Sequence, residues 1–270
     1  MSKIGVFGAS GMLGGYVSAH LKNQGFDVAE LARTDVISEI EALSKRLKEV
    51  VGQGGWIINC VGVIKPQIAV QGPVETIRVN ALFPHVLANA ALSAGIQVIH
   101  ITTDCVFSGK TGNYTEKSFH DAVDLYGRSK SLGEPENCLV IRTSIIGEEK
   151  NHKRSLIEWA KSETGNQVRG FTNHTWNGVT CLQFAKIAEQ IIKSGPTWNG
   201  VRHVYSPNSV NKLELMQMIN DAFNLDLKIS AFETPDPVHR TLKTDFPEIC
   251  SAFKVPDLKD QLAELKAFTW

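Results

Sequence analysis

The stretch GASGMLG sets Gly8, Gly11 and Gly14 three residues apart. It joins a compact apolar run, KIGVF (3–7), to a segment with helical apolar spacing, MLGGYVSAHLKNQG (12–25). A glycine turn between a strand and a helix constrains the chain strongly. The first glycine permits the tight turn, the second lets backbone N–H groups approach a ligand, and the third lets helix and sheet pack closely. The helix N-terminus adds roughly half a unit of positive charge, so the turn with Met12 and Leu13 is a cradle for a diphosphate. Gly8, Gly11, Met12, Leu13 and Gly14 are therefore candidate dinucleotide contacts.

The pattern that follows supports this reading. Strand-like DVAEL (27–31), WIINCVG (56–62), QVIHIT (97–102) and CLVIRTS (138–144) alternate with helical VISEIEALSKRLKEVV (36–51), 73–95 and 125–132. Short strands apolar on both faces and separated by helices predict a parallel sheet with helices on either side. Proline at position 84 is expected to bend the long helix. The expected fold class is α/β, a Rossmann-type doubly wound parallel sheet over residues 1–147. After residue 147 the rhythm breaks, which predicts a smaller C-terminal α/β substrate lobe over 148–270, interleaved with the last strands of the main sheet.

Charge and cysteine usage narrow the function. Lys plus Arg total 28 and Asp plus Glu total 28, and no basic stripe runs along the chain, so a nucleic-acid partner is not expected. No apolar run approaches the ~18 residues that a membrane span requires, and MSKIGVFGAS enters a strand pattern at once without a signal segment. The five scattered cysteines form no C-x-x-C pair and no zinc-spaced cluster, which predicts free thiols in a reducing cytoplasm and no metal site.

The second strand ends ELARTD. Ala32 stands where a carboxylate would hold a ribose 2′-hydroxyl, and Arg33 follows, suited to a 2′-phosphate. These residues favour NADP(H); Glu30 or Asp35 would serve NAD(H) in a shifted register. Cys60, Val61 and Gly62 end the third strand, where a backbone can pass close to a cofactor. Asn80 is read as facing the sheet and satisfying backbone groups.

A second motif carries chemistry. In LYGRSK, Tyr126 and Lys130 lie four residues apart and share one helical face. A phenol ordinarily titrates near 10, and an adjacent ammonium is expected to favour its ionised form. The lysine is also placed to hold cofactor ribose hydroxyls. HITTDCVF brings Thr102 and Thr103 to the carboxyl end of a strand, where ligands bind in open parallel sheets. A hydroxyl there can hold a substrate carbonyl while Tyr126 delivers a proton.

GASGMLG, NCVG, RVNALFPH, TTDCVFSGKTGNYTE, YGRSK followed by LGE, and RTSIIG together resemble the extended short-chain dehydrogenase/reductases, and within them the dTDP-4-dehydrorhamnose reductase group of nucleotide-sugar 4-reductases. The resemblance implies a catalytic set of Thr103, Tyr126 and Lys130, with Tyr126 and Lys130 also touching cofactor. It implies hydride transfer from NADP(H) to the C4 ketone of a UDP- or dTDP-linked 4-keto-6-deoxysugar, in polysaccharide biosynthesis, by a protein that can pair as a homodimer. Candidate substrate contacts are Thr103, Asp104, Cys105, Tyr126, Trp176, Asn177 and Arg240, the last as a diphosphate clamp. Cys105 replaces a common aromatic, and NHTWNGVTCLQFA (173–185) replaces a shorter Pro-Thr stretch; both bear on the sugar. Two alternatives stand beside reduction: an epimerase that retains its nicotinamide, and a non-catalytic dinucleotide-binding subunit like the regulatory subunit of methionine adenosyltransferase. A dehydratase would be expected to carry T-D-E, and here Cys105 follows Asp104.

Overall fold

The computed structural model describes residues 3–36, 38–151 and 153–270, with the Arg33 side chain also outside the described set. The first half builds β1 (Ile4–Phe7), α1 (Met12–Asn23), β2 (Val28–Leu31), α2 (Ile40–Val51), β3 (Trp56–Asn59), α3 (Lys65–Ile77), α4 (Phe83–Ala94), β4 (Gln97–Thr103), α5 (Leu125–Leu132) and β5 (Leu139–Thr143). After these come β6 (Ile145–Ile146), α6 (Leu156–Ser162), β7 (Gln167–Phe171), β8 (His174–Trp176), β9 (Val179–Thr180), α7 (Cys181–Ser194) and β10 (Gly200–His203). The chain ends with β11 (Val210–Asn211), α8 (Lys212–Phe223), β12 (Lys228–Phe232), β13 (Val238–His239), α9 (Pro247–Ala252) and α10 (Leu258–Ala267).

The main sheet is parallel throughout, in the order β2-β1-β3-β4-β5-β10. It is the Rossmann-type arrangement, and connections diverge to opposite sides between β1 and β3. Ligands in such sheets bind in the crevice that opens at this reversal, outside the carboxyl ends of the strands. Apolar strand residues feed two cores. Ile4, Val6, Ile58, Ile99 and Ile141 pack under α1 and α7 on one face. Phe7, Ile57, Val98 and Val140 pack under α2 and α4 on the other.

The segment beyond residue 147 divides between layers. β10 joins β5 in the main sheet and α7 packs along α1. The rest forms a three-stranded sheet, β11-β8-β13, and the pair β12-β7. No helix among the described residues is long and apolar enough to cross a membrane.

Two local expectations change. Residues 65–71, ahead of the helix expected over 73–95, are helical too, and the break falls at Gly72, with φ 78° and ψ 171° beside Pro73. The chain then passes through a π-helical turn, Arg78–Leu82, into α4. Pro84 follows directly on that turn: Leu82 and Phe83 keep helical dihedrals, so the proline, which has no N–H to donate, sits where π-helical bonding gives way to α4.

Candidate active site

The glycine turn follows β1 and opens α1. Gly8 has φ 78°, a left-handed conformation that suits glycine, and its carbonyl accepts from the Gly11 N–H at 2.9 Å. A Cβ on Gly14 would stand 2.2 Å from the Gly8 carbonyl oxygen, so a side chain there would push helix and turn apart. Above this turn lies a cleft of about 380 Å³ at the β1/β3 crevice. Gly8, Gly11, Met12, Leu13, Cys60, Val61 and Gly62 line it, as do Ser10, Leu31 and Ala32. Gly14 lies behind the turn and acts through packing. The shape and the backbone cradle fit an elongated diphosphate-bridged ligand.

The expected carboxylates for a ribose are engaged elsewhere. Asp35 accepts from the Ala32 N–H at 2.8 Å and from Arg46 Nε at 2.8 Å. Glu30 pairs with Lys22 at 2.6 Å. The Arg33 expectation falls outside the described residues. Arg78 and Arg154 also line the cleft, and sequence reasoning passed over both. Arg78 holds Glu75 through two bonds of 2.7 and 2.8 Å and reaches the Val36 carbonyl at 3.4 Å, which steadies the loop after β2. Its E-x-x-R spacing with Glu75 was the available signal.

At the neighbouring strand end, Thr103 closes β4 and caps the 3-10 turn Asp104–Val106 by accepting from the Cys105 N–H at 3.1 Å. Its hydroxyl donates to Asp104 Oδ1 at 3.1 Å. α5 carries Tyr126 and Lys130, with Asp124 as its N-cap at 2.8 Å from the Gly127 N–H. Gly127 explains the small residue beside the tyrosine: a Cβ there would lie 2.3 Å from the Cys105 carbonyl oxygen. Helix and turn can touch only because that Cβ is missing, and this contact brings Tyr126 to Thr103. Gly133 does the same at the other end of α5, where a Cβ would meet the Asn80 carbonyl at 1.9 Å. Asn80 ties the parts together. It accepts from the Val63 N–H at 2.7 Å and donates to the Val63 carbonyl at 2.9 Å and to Ser129 Oγ at 3.2 Å.

Titration in this site departs from the simple expectation. Burial pushes the Tyr126 phenol above its ordinary value, Cys105 and Asp104 add to the shift, and a hydrogen bond to Thr103 opposes it. Lys130 does not act as the expected acidifier. Its ammonium, only 4% exposed, donates to the Ile101 carbonyl at 2.9 Å. Burial brings it down to about 8, against the pull of Glu134 and Cys60. Desolvation of a phenol on this face outweighs a cation already bonded to backbone. Burial also raises the Asp104 carboxyl, while Arg240, Thr103 and Lys212 pull it back. It brings the Cys105 thiol up to about 11, with Asp104 adding and Arg240 opposing.

Two expected substrate contacts are placed differently, and a third is partly committed to backbone. Trp176, 4% exposed, belongs to the hydrophobic core under α7, with Lys212 Nζ 5.1 Å from its ring centroid, so its ring is not free to stack on a sugar. Asn177 spends its amide on backbone: it donates to the Leu242 carbonyl at 2.9 Å and accepts from the Leu242 N–H at 2.8 Å. Arg240 donates to the Phe107 carbonyl at 3.1 Å and the Ser108 carbonyl at 3.4 Å, which fastens the lobe over the turn beside Asp104. Lys212, absent from the expected set, stands near Asp104 and Cys105.

The family described as RmlD substrate binding domain matches residues 2–248. The chain belongs to this family. Members and fold neighbours of this RmlD-type chain carry several names. A "Probable low-salt glycan biosynthesis reductase" of Haloferax volcanii is 26% identical, covering 97% of this chain and 96% of its own. Methionine adenosyltransferase 2 subunit beta of Xenopus laevis is 25% identical over 91% of this chain and 80% of its own. A dTDP-4-dehydrorhamnose reductase of Bacillus anthracis, solved in complex with NADP, superposes with TM-score 0.83 over 100% of both chains at 18% identity, which shows a common fold.

Proposed function

We propose that this protein reduces the C4 ketone of a nucleotide-linked 4-keto-6-deoxysugar with NADP(H), Tyr126 supplying the proton. The reading is supported by the approach of Tyr126 to Thr103 at the carboxyl end of β4, with Lys130 one helical turn on and close to Cys60, which lines the glycine-cradled cleft. Gly8, Gly11, Met12, Leu13 and the Cys60–Gly62 backbone would hold the dinucleotide, and Lys130 would hold its ribose. With Glu30 and Asp35 already paired, the adenosine end favours a 2′-phosphate over a free 2′-hydroxyl. Reduced nicotinamide bound there supplies hydride to a carbonyl carbon.

The protein's own residues handle the oxygen. Thr103 and Tyr126 are the two hydroxyls placed to bind it. As negative charge develops, the phenol gives up its proton to an alkoxide, a far stronger base than phenolate. The phenol is protonated at neutral pH, as a proton donor must be, and its upward shift makes it the weaker acid, so the basicity of the alkoxide drives the transfer. The small sheets β11-β8-β13 and β12-β7 belong to the lobe that would cover the sugar and nucleotide, with Asp104, Cys105 and Arg240 at its seam.

The test is NADPH oxidation with UDP- and dTDP-linked 4-keto-6-deoxysugars made in situ. Turnover with at least one is expected, and Tyr126→Phe should lower kcat by roughly 10²–10⁴ while NADPH still binds. A variant within threefold of the parent overturns the role of Tyr126. The kinship with methionine adenosyltransferase 2 subunit beta favours one other reading, a dinucleotide-binding subunit without turnover. NADPH binding with no oxidation across the whole panel would select it.

A further inference from the structure

Lys212 is a partly buried cation that makes no ion pair and donates no hydrogen bond among the described residues. Its position follows from the register of the three-stranded sheet. Val210 of β11 pairs with Trp176 of β8, and Val238 of β13 pairs with His174. Side chains alternate along a strand, so His174, Trp176, Val210 and Val238 share one face; Arg240 follows β13 with its N–H on the Thr175 carbonyl at 3.1 Å, and Lys212 opens α8 directly after β11. Contacts agree: Lys212 Nζ lies 5.1 Å from the Trp176 ring centroid, and Val238 and Arg240 both press on Gly109.

That face covers the turn following Thr103. It brings Lys212 and Arg240 toward Asp104, and neither cation forms an ion pair with it among the described residues; His174 and His239 face the two cations from the same sheet, and Arg240 also faces Asp124. Asp104 is 3% exposed and its burial favours the neutral form, which leaves the cluster short of negative charge. The Lys212 ammonium rests against the Trp176 ring face and is drawn to Asp104 and Cys105, a weak setting for a desolvated cation that an anionic ligand would complete. Arg240 is half committed to the Phe107 and Ser108 carbonyls; Lys212 has no such commitment.

We infer that Lys212 is a substrate-binding residue that receives the diphosphate of the nucleotide-linked substrate, with Arg240 beside it as second cation. The inference rests on the nucleotide-sugar reading above. The geometry suits it, because a hexose with its C4 oxygen at Thr103 and Tyr126 places its anomeric phosphate one ring away, toward the covering lobe. A free sugar would offer the ammonium no anion, so Lys212 would select nucleotide-linked substrates over free ones.

Calorimetric titration of the NADPH-loaded protein with UDP, dTDP and inorganic pyrophosphate tests this. The parent should bind at least one nucleoside diphosphate, more weakly as salt rises. Lys212→Met, which keeps the aliphatic stem over Trp176, should weaken that binding roughly 10- to 100-fold, and Lys212→Arg should restore most of it. NADPH affinity should be unchanged in both, which also reports that they fold; Lys212→Gln replaces Lys212→Met if the latter loses NADPH. In turnover assays the loss should appear in KM far more than in kcat. Nucleoside diphosphate binding unaltered in the neutral variant, or absent in the parent, overturns the assignment. NADPH oxidation with parental KM in that variant would sink the role of Lys212 while sparing the proposed reaction. Absence of turnover in the parent, with Lys212-dependent diphosphate binding, would do the reverse.

Discussion

Acidification should destabilise this protein before its carboxylates titrate, through a buried histidine packed against an arginine. His203, on β10, is fully buried. Its Nδ1 donates to the Lys243 carbonyl at 2.6 Å, and its Nε2 accepts from Arg142 Nη1 at 2.8 Å. Arg142 itself, 1% exposed, holds Glu134 through two bonds and donates to His120 Nε2 at 2.8 Å. The neutral Nδ1–H tautomer satisfies both ring nitrogens. Protonating Nε2 would turn an N–H toward an N–H and bring two cations together without water. Burial, then Arg142, brings His203 down to about 4, against Glu116, the Lys243 carbonyl and Glu134.

The direction follows from proton uptake. An unfolded histidine titrates near 6.5, so below that pH the unfolded chain binds a proton that the folded chain refuses. Stability is fullest above pH 6.5 and falls until the folded ring titrates near 4. With these limits His203 contributes a loss of about 1.4 kcal/mol at pH 5.5 and about 3 kcal/mol at the acid extreme. The first figure corresponds to roughly 3–5 °C in Tm for a chain of this size. His100, His120 and His174 are shifted down by burial as well and add to the slope, so His203→Gln is the necessary control. Urea unfolding at pH 7.5 and 5.5 should show the stability gap between parent and variant shrinking by about 1.4 kcal/mol. A gap independent of pH, or an NMR titration of the folded His203 ring near 6.5, refutes the reasoning.

Gly127→Ala should displace α5 from the Asp104–Val106 turn, since the added carbon would stand 2.3 Å from the Cys105 carbonyl oxygen and 2.5 Å from Ala122 Cβ. We expect a loss of about 1–3 kcal/mol in stability and at least a tenfold fall in turnover; parental Tm and kcat would contradict the packing argument. In the proposed reduction, kcat/KM should decline above pH about 8 as buried Lys130 loses its charge. Lys130→Arg should carry that limb beyond pH 10, and an unmoved limb would assign it to another group.

What could be read from the chain tracks how local the cause is. GASGMLG declares itself because turn, backbone approach and helix packing all fall within seven residues. Tyr126 and Lys130 share a helical face by spacing alone. The need for Gly127 was hidden, since the atom that forbids a side chain there belongs to Cys105, 22 positions earlier. Asn177 and Trp176 read as ligand contacts because an amide and an aromatic ring in a polar stretch look available. Only the tertiary fold shows the amide pinning Leu242 and the ring inside the core. Lys212 carries no local signal, since a lysine just after the Asn211 cap of α8 is ordinary; its meaning comes from what the fold packs around it. The Arg142 hub joins positions 120, 134, 142 and 203, which no local pattern links.

One proton that the proposed reduction would use already has claimants. Thr103 has a single hydroxyl proton, and Asp104 competes for it with the Tyr126 oxygen. To bond a substrate oxygen, that hydroxyl must turn, and the substrate must compete with Asp104 as acceptor. An ionised carboxylate would win against a ketone, because charge-assisted bonds are roughly twice as strong as neutral ones. A carboxyl whose burial favours the neutral form is a weaker rival, and once protonated it can donate to Thr103 and free the threonine proton altogether. Lys212 and Arg240 pull the other way, toward ionisation. An anion that engaged both cations would weaken that pull, drive Asp104 toward its neutral form, and turn Thr103 toward the ketone. Substrate binding at one end of the pocket would then prepare the donor at the other, and Tyr126, protonated throughout the neutral range, would need no such preparation.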